Sequence, residues 1–512
     1  MSTPSELGKI DELVMARVAE EERLCPLPPE PVLDEQKLLS FVRDCLQWNE
    51  YGDALIYAHL FRDKFTKIAS TETWLKYNGH HWIIDDIGES RQAVTKVADE
   101  YSKLLRSEKK KGDDADEKYL KKIKSRIDRL LTCAGQYREL DMVSGGIPDP
   151  LAIKASQIDA KPWLLPCANG VVDLRMGELR RTTAKNYLLR AISHSFNGFD
   201  APSPVWEKTL SEIFNGNQVV IDFLQRLLGY MLLGNTREHV FAVLWGTGRN
   251  GKGIIMGALF HVLGEFARPI AAELLLDQRN ARSSAAPSPD LMALKGIRLA
   301  VASESDQGRA FSSSRVKHLS GGDAITARNP HDKVETTFRP SHTLLLLTNH
   351  KPKAPASDFA FWSRCILLNF PITFTDNPKK DNERAIDRDL SNKLEAEASG
   401  ILSWLIRGAA FYQAYGLQVP DEVQNATSEY RKHEDTVGQF LDDCCEIQNG
   451  AEERAGLLYS AFQKWYAENV NAHRNPPSVT AFGEQMTTKF EKRKDRDGKY
   501  YIGLRLIPGS IT

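Results

Sequence analysis

Between residues 246 and 253 the chain reads Gly246-Thr247-Gly248-Arg249-Asn250-Gly251-Lys252-Gly253. Glycines at these spacings let the backbone curl so that its N–H groups converge on phosphate oxygens, and Lys252 supplies a cation for the outer phosphates. Taken alone, the octapeptide could equally be a glycine-rich surface turn with one solvated lysine. Its flanks argue otherwise. The strand-like run Phe241-Ala-Val-Leu-Trp245 enters the loop and the helix-like run Ile254–His261 leaves it, so all eight residues are expected to wrap a nucleoside triphosphate. The position that usually offers a Ser or Thr hydroxyl to Mg²⁺ is Gly253, which leaves the metal to water, to Thr247 or to a downstream acid.

Three more apolar runs end or begin on polar residues suited to the same chemistry. Ile297–Glu304 closes on a carboxylate able to organise Mg²⁺ and polarise attacking water, and Asp306 would share its face if the strand continued. After an isolated strand such an acid is a turn residue. His342–Asn349 ends on an amide that can stand between a γ-phosphate and water, the alternative being a helix or turn cap. Phe361–Phe370 carries Arg364 just ahead of its apolar core. Its guanidinium could cross a subunit boundary to a transferring phosphoryl group, or serve as a structural ion-pair partner.

These residues must be held by ordinary elements. The chain has 512 residues, 42% hydrophobic and 26% charged, which fits a soluble globular protein of about three domains. A net charge of −1 gives no global argument for nucleic-acid binding, so any such binding must be local. No run is long enough to span a membrane, the opening MSTPSELGKIDEL is not secretory, and the seven cysteines show no CxxC pairing. A cytoplasmic protein without membrane contact is the expectation. Residues 1–35 are acidic and then proline-rich, as in a poorly ordered leader. Helical periodicity over 36–135 is interrupted by Trp74–Asp86, two short strands about a turn at Asn78-Gly79. Tyr119–Leu131 reads as a basic amphipathic helix with a solvated face, a nucleic-acid or subunit contact being the alternative. Leu164–Leu179 reads as a β-hairpin turning near Met176-Gly177. From about 205 strands and helices alternate, as in an α/β layer.

The succession LWGTGRNGKG, KGIRLAVASESD, VKHLSGGDAITARNPHDKVETTFRP, TLLLLTNHKP and FWSRCILLNFP resembles the superfamily 3 helicases, most closely the satellite-phage and poxvirus-type primase-helicase branch. The likeness runs from about 140 to 512, and ANGVVDLRMGEL is similar to the domain preceding the motor in that branch. It implies an AAA+-type P-loop core, ATP and Mg²⁺, and a hexameric ring whose sites are shared between neighbours. Lys252 then matches the phosphate lysine, Glu304 the metal and water acid, Asn349 the sensor and Arg364 the finger. The family's pre-sensor stretch forms a hairpin whose tip meets single-stranded DNA in the ring channel. Here the tip is Asn329–Lys333, between Ala324–Arg328 and Val334–Phe338, and the alternation about a Pro-containing turn supports a hairpin independently. His331 and Lys333 become the tip contacts, supported by Lys317 and Arg328.

Two features depart from that pattern. Ser303 stands before Glu304 where many members have paired acids, and the first 140 or so residues lack a zinc-type cysteine set and the length of a primase domain. A separate primase or host replication proteins are therefore expected as partners. Gly400–Tyr415 reads as an amphipathic helix packing on the motor. Val437–Cys445, Leu457–Tyr466 and Thr480–Phe490, followed by a basic ribbon turning at Asp497-Gly498 into Ile502–Ile507, resemble a winged helix that binds duplex DNA or docks protein. The expected organisation is a leader (1–35), a mainly helical domain for oligomerisation or DNA entry (36–200), the motor (205–420) and the winged-helix-like domain (430–512), an α/β chain overall. The implied function is an ATP-dependent replicative helicase of a phage, plasmid or mobile element in a bacterial host cytoplasm. It would translocate 3′ to 5′ on single-stranded DNA and open forked duplexes. The alternatives are an origin-binding initiator or loader ATPase without processive unwinding, and a nucleotide-dependent scaffold.

Overall fold

Apolar residues at helical spacing, such as Val94, Val97, Tyr101 and Leu104, are fully buried on the helix Val94–Lys109, and four neighbours follow the same rule. These are Glu35–Cys45, Asn49–Phe61, Glu117–Leu130 and Cys133–Gly145. The computed structural model describes residues 35–110, 116–277, 286–304, 306–330, 334–470 and 476–508, so the leader lies outside the described residues. The chain divides into two units, one formed by residues 1–203, 261–266 and 397–416, the other by 204–260, 267–396 and 417–512.

In the first unit the helices enclose a core that includes Val42, Tyr57, Phe65 and Ile123. Beside it lies a sheet ordered β3-β2-β1-β4, made of β1 (Phe65–Ile68), β2 (Thr73–Tyr77), β3 (Trp82–Ile84) and β4 (Ala152–Ile153). The turn between β2 and β3 is the expected one. Asn78 Oδ1 accepts the backbone N–H of His80 and His81 at 2.9 Å each, and Gly79 takes a φ of 98°. Residues 164–180 form a three-stranded meander of β5 (Leu164–Cys167), β6 (Gly170–Asp173) and β7 (Glu178–Arg180). The turn at Met176-Gly177 is present, and a tighter one at Ala168-Asn169 precedes it.

One expectation is corrected here, and a second, the solvated lysine face of the basic helix, holds with an addition. Helix Ala398–Tyr415 belongs to this first unit: Arg407 donates to the Phe199 carbonyl at 2.6 Å and Gln413 to that of Leu174 at 2.7 Å. The basic helix 117–130 keeps Lys121, Lys122 and Lys124 in solvent but turns two arginines inward. Arg126 lies three residues after buried Ile123 and four before buried Leu130, so it shares their face. There it pairs with fully buried Asp53 at 3.0 Å; Arg129 also bonds Asp53, and the Tyr101 hydroxyl donates to it at 2.7 Å.

The second unit is built on a five-stranded parallel sheet, β14-β8-β13-β10-β9, comprising β8 (Phe241–Trp245), β9 (Ala267–Ile270), β10 (Leu299–Glu304), β13 (Thr343–Thr348) and β14 (Cys365–Asn369). Phe241–Leu244, Leu299–Ala302 and Leu344–Leu346 are all buried, as a parallel sheet covered on both faces requires. Between β10 and β13 the chain forms an antiparallel ribbon of β11 (Ile325–Ala327) and β12 (Thr336–Phe338). After β14 come β15 (Thr373–Thr375) and β16 (Glu383–Ala385), then helix Asp421–Glu434, whose Thr427 hydroxyl accepts the Leu367 N–H of β14 at 3.0 Å. The C-terminal segment sets helices Thr436–Cys444, Ala455–Asn469 and Val479–Lys489 against a sheet ordered β17-β19-β18. Its strands are β17 (Cys445–Arg454), β18 (Lys492–Lys494) and β19 (Lys499–Leu506), packed over Phe440, Phe462, Phe482 and Tyr501.

Because Asp53 is fully buried, removing Arg126 takes away its one buried cation and leaves the carboxylate to the partly exposed Arg129 and the Tyr101 hydroxyl. Arg126→Ala is expected to destabilise the helical unit by about 3–5 kcal/mol, against less than about 0.5 kcal/mol for exposed Lys121→Ala. Urea unfolding followed through hydrogen exchange in helix Asn49–Phe61 measures both. Equal effects would show that the Asp53 pairing contributes nothing.

Candidate functional site

The loop leaving β8 is shaped before any ligand is considered. The Trp245 carbonyl accepts from Phe370 at 2.8 Å, and the Gly246 N–H donates to the Thr348 carbonyl at 3.3 Å. The backbone then turns through positive φ at Gly248 (109°), Arg249 (50°) and Gly251 (82°) into the helix Lys252–Leu263. A Cβ on Gly246 would fall 1.9 Å from Asn250 Nδ2, and one on Gly251 would fall 2.4 Å from Ile213 Cδ1, so only glycine fits either place. Arg249 holds its left-handed conformation because its carbonyl accepts from Phe374 N–H at 2.7 Å. Gly246, Asn250 and Lys252 are buried, while Thr247, Arg249 and Gly253 are exposed on the rim.

Lys252 is the charge within this loop. Its Nζ donates to the Gly246 carbonyl at 2.8 Å, to Asn250 Oδ1 at 2.9 Å and to Asn349 Oδ1 at 3.2 Å. Three acceptors match the three N–H donors of an ammonium. Burial nevertheless disfavours the charged form and pulls the amine down to about 8. The side chain of Asn250 is held in turn through its Oδ1, and its buried Nδ2 has no hydrogen-bond partner among the described residues.

Strand register brings the other residues to the same edge. Glu304 of β10 pairs with Thr348 of β13, which pairs with Trp245 of β8; Asn349 and Gly246 are the next residues along. The three strand ends share one rung, about 10 Å from first to last. Glu304 is 8% exposed; its Oε1 accepts the Asp306 N–H at 2.8 Å and its Oε2 faces Arg309 at 3.5 Å. Asp306 is exposed. Arg309 stands 3.5 Å from Glu273 as well, so one guanidinium lies between two carboxylates. Arg364 goes to the opposite edge. It precedes β14, its carbonyl accepts Phe241 N–H at 2.9 Å, and its guanidinium donates to the Ala360 carbonyl at 2.6 Å. A five-residue strand puts it roughly 17 Å from the loop of its own sheet.

Two nearby residues escaped sequence reasoning. Arg309 carried no signal beyond lying five residues after Glu304. Lys351 follows Asn349 by two, and its ammonium lies 4.3 Å from the Trp245 ring and 5.5 Å from the Tyr430 ring, with burial lowering its pKa. Among the expected DNA contacts, the ribbon itself is present, with Ile325 opposite Phe338 and Ala327 opposite Thr336. His331 and Lys333 lie outside the described residues. Lys317, on helix Ser313–Ser320, forms an ion pair with Asp358 at 2.8 Å, and half-buried Arg328 accepts the Ser288 N–H at its carbonyl.

With glycine-forced curvature, a buried ammonium and a helix N-terminus together, this edge is suited to a polyanion, and the Glu304 carboxylate stands ready for a cation or water beside it. A family model described as "D5 N terminal like" matches residues 54–215. The chain is 27% identical over 423 residues to a protein named as a helicase in Acanthamoeba polyphaga mimivirus, covering 77% of this chain and 43% of that one. A protein of African swine fever virus named as a primase is 24% identical over 341 residues, covering 62% and 34%, and one named as a helicase in Sputnik virophage is 24% identical over 271 residues, covering 51% and 34%. The chain thus spans less than half the length of these curated relatives. Among solved structures, the A form apo structure of the NrS-1 C-terminal region is similar at 10% identity and a TM-score of 0.45, covering 86% of this chain and 96% of that one. By its sequence matches the chain is similar, over part of their length, to viral proteins named as helicases and primases, and it carries a D5 N-terminal-like segment.

Proposed function

We propose that this chain is an ATP-driven replicative DNA helicase of a phage, plasmid or other mobile element, with an AAA+-type core working as a hexameric ring on single-stranded and forked DNA. The observation that carries the reading is the division of charge across the parallel sheet: Lys252, Asn349 and Glu304 lie on one edge and Arg364 on the other. A single copy cannot bring all four to one phosphate. Two copies can, if the Arg364 edge of one faces the loop edge of the next.

In that arrangement the loop from Gly246 to Gly253 wraps the triphosphate, and Lys252 exchanges its three internal acceptors for phosphate oxygens. Its departure frees the Asn349 amide to hold the attacking water. Glu304 orients and accepts the proton of that water, and Arg364 of the neighbour balances charge on the phosphoryl group. For Mg²⁺ the residues fit: one carboxylate, Glu304, beside phosphate oxygens is the ordinary donor set, with exposed Asp306 and Thr247 as further oxygen donors in the segments that follow β10 and β8, and the ion would screen the triphosphate charge. The ribbon β11–β12 and the DNA contacts read from the sequence, Lys317, Arg328, His331 and Lys333, lie in sequence between Glu304 and Asn349, so nucleotide state and DNA grip are linked through β10 and β13. The helical segment would then serve oligomerisation or DNA entry, a separate primase or host replication proteins would supply the start, and movement would run 3′ to 5′.

The lysine predicts a pH dependence. Its amine sits near 8 in the nucleotide-free loop, and phosphate favours the ammonium, so binding draws a proton. Affinity for a fluorescent nucleotide is expected to be full below about pH 8 and to weaken toward tenfold per unit above it. Lys252→Arg should abolish that slope whatever its absolute affinity. A slope unchanged in the arginine variant would place the titrating group elsewhere.

Complementation tests the shared site. Lys252→Ala and Arg364→Ala should each lower ATP turnover by about 100-fold or more. Mixed in equal amounts they should recover about a quarter of wild-type turnover, because one seam in four then joins an intact Lys252 to an intact Arg364. No recovery, with assembly intact, would mean that Arg364 does not act between copies. Lys333→Ala should keep turnover and lose strand displacement; wild-type turnover without displacement would favour an initiator or loader.

A further inference from the structure

Given the nucleotide reading of the site, on which this role rests, we infer that Lys351 is a positioning residue. Held between the rings of Trp245 and Tyr430, it fixes the turn that carries Asn349 and ties that turn to helix Asp421–Glu434.

The need for such a device starts in the sequence. After Thr348 the chain runs Asn349-His-Lys-Pro-Lys-Ala-Pro-Ala356, with two prolines that cannot donate to a ladder, and no helix or strand covers these residues. Individual bonds hold them instead. The Thr348 hydroxyl accepts the His350 N–H at 3.1 Å, and the Pro352 carbonyl accepts the Tyr430 hydroxyl. Lys353 donates its N–H to the Arg309 carbonyl and accepts that of Phe311 at its own carbonyl, both at 2.8 Å. Beyond it Ala354 donates to Glu434 at 3.2 Å, and the Ala356 carbonyl accepts from Arg431 at 2.9 Å. The far half of the segment is thus strapped to helix Asp421–Glu434. Lys351 makes the link at the near half, two residues from the Asn349 amide.

The link is a cation between two aromatic faces. The Lys351 ammonium lies 4.3 Å from the centre of the Trp245 ring and 5.5 Å from that of Tyr430, both inside the roughly 6 Å reach of a cation–π attraction. No carboxylate closes an ion pair with it among the described residues, and burial outweighs the more distant Glu429 and Glu434 and lowers its pKa. An apolar side chain would fill the same gap without that desolvation. What the ammonium adds is attraction to two rings at once. Both rings are themselves fixed. Trp245 pairs with Thr348 across β8 and β13, one residue short of Gly246 and Asn349, and Tyr430 is 1% exposed with its ring edge-on to Trp362 at 5.0 Å. Lys351 therefore folds back onto the rung from which the phosphate loop and the Asn349 turn both depart.

The consequence falls on Asn349. Its Oδ1 accepts the Lys252 ammonium at 3.2 Å, the longest of that group's three bonds, and in the proposed reaction the amide must meet water without drifting. The sheet fixes Thr348 on one side of it and the two rings fix Lys351 on the other. The ammonium is occupied by the rings, so Lys351 acts through Asn349. Tyr430 stands on the helix that passes through Asp435 into Thr436–Cys444, which places the Asn349 turn under the control of the C-terminal segment.

Lys351→Met keeps the length and the apolar contact with both rings while removing the charge, and Lys351→Arg keeps the cation. In the full chain Lys351→Met is expected to lower kcat for ATP about 10- to 100-fold with KM within about twofold of wild type. Lys351→Arg should restore kcat to within about threefold. Without nucleotide, hydrogen exchange over residues 349–356 should be about tenfold faster in Lys351→Met than in the wild type or Lys351→Arg, with melting temperatures within about 3 °C of one another. Wild-type kcat and exchange in Lys351→Met would overturn the proposal. Equal losses in both variants would overturn it as well and leave the residue to packing. Absence of ATP turnover in the wild type would overturn the nucleotide reading and the positioning role with it, while the exchange measurement separately decides whether the clamp exists.

Discussion

The register of three parallel strands is the constraint on which the site depends. With Glu304 opposite Thr348 and Thr348 opposite Trp245, the residues that follow emerge together at the carboxyl edge of the sheet, where open α/β sheets collect their ligands. Side chains alternate faces along a strand, so a slip of one residue would move every functional group to the wrong side. The continuous apolar stretches of β8, β10 and β13, buried on both faces, make such a slip costly because polar strand ends would be drawn into the core. The Lys252–Asn349 bond across the gap between β8 and β13 is then a consequence of register, made after the strands are paired.

Within that frame the loop solves a desolvation problem. A buried ammonium loses hydration worth several kcal/mol unless acceptors replace it. Lys252 has three, of which Gly246 and Asn250 belong to the loop and Asn349 to the neighbouring strand. The loop residues serve the lysine as much as the lysine serves a ligand. Glu304 is treated alike, with one oxygen on a backbone N–H and the other facing Arg309. Both charges are oriented by the protein itself, so an anion arriving at this edge meets groups already fixed in place, at little cost in conformational entropy.

What was legible in the sequence follows from locality. Runs such as Phe241–Leu244 and Leu344–Leu346 show strands directly, since a fully buried parallel strand has no polar alternation to hide it, and Asn78-Gly79 shows its turn because the amide and the missing Cβ act within four residues. Several strands lacked any such sign, β9 and β17 among them. β9, Ala-Arg-Pro-Ile, is a half-exposed edge strand containing Pro269, and β17 is mostly polar, with Gly450 at a φ of 81° beside its irregular register. The inward turn of Arg126 and Arg129 was hidden for another reason: periodicity marks a face, but whether an arginine on it meets water or a carboxylate depends on Asp53, more than seventy residues away. Helix Ala398–Tyr415 was visible as a helix, yet its partners near 174–202 are set by the tertiary fold. Asn349 and Glu304 could be named from strand ends; Arg309 and Lys351, whose roles exist only through Glu304, Trp245 and Tyr430, could not.

The polarity of a parallel sheet carries one more implication. All carboxyl ends gather on one side, so a residue that precedes a strand is separated from those that follow strands by the strand's whole length. Arg364 is separated in this way, and its guanidinium is anchored to Ala360 within its own turn, not to any acid of the loop edge. An arginine serving only to neutralise a local carboxylate would be expected beside one, as Arg309 is beside Glu304 and Glu273. On the proposed reading, the chemistry is therefore split by the geometry of the sheet, and closing a ring is the step that reunites it. Turnover would then depend on assembly through the placement of a single residue at a strand start, with no separate switch required.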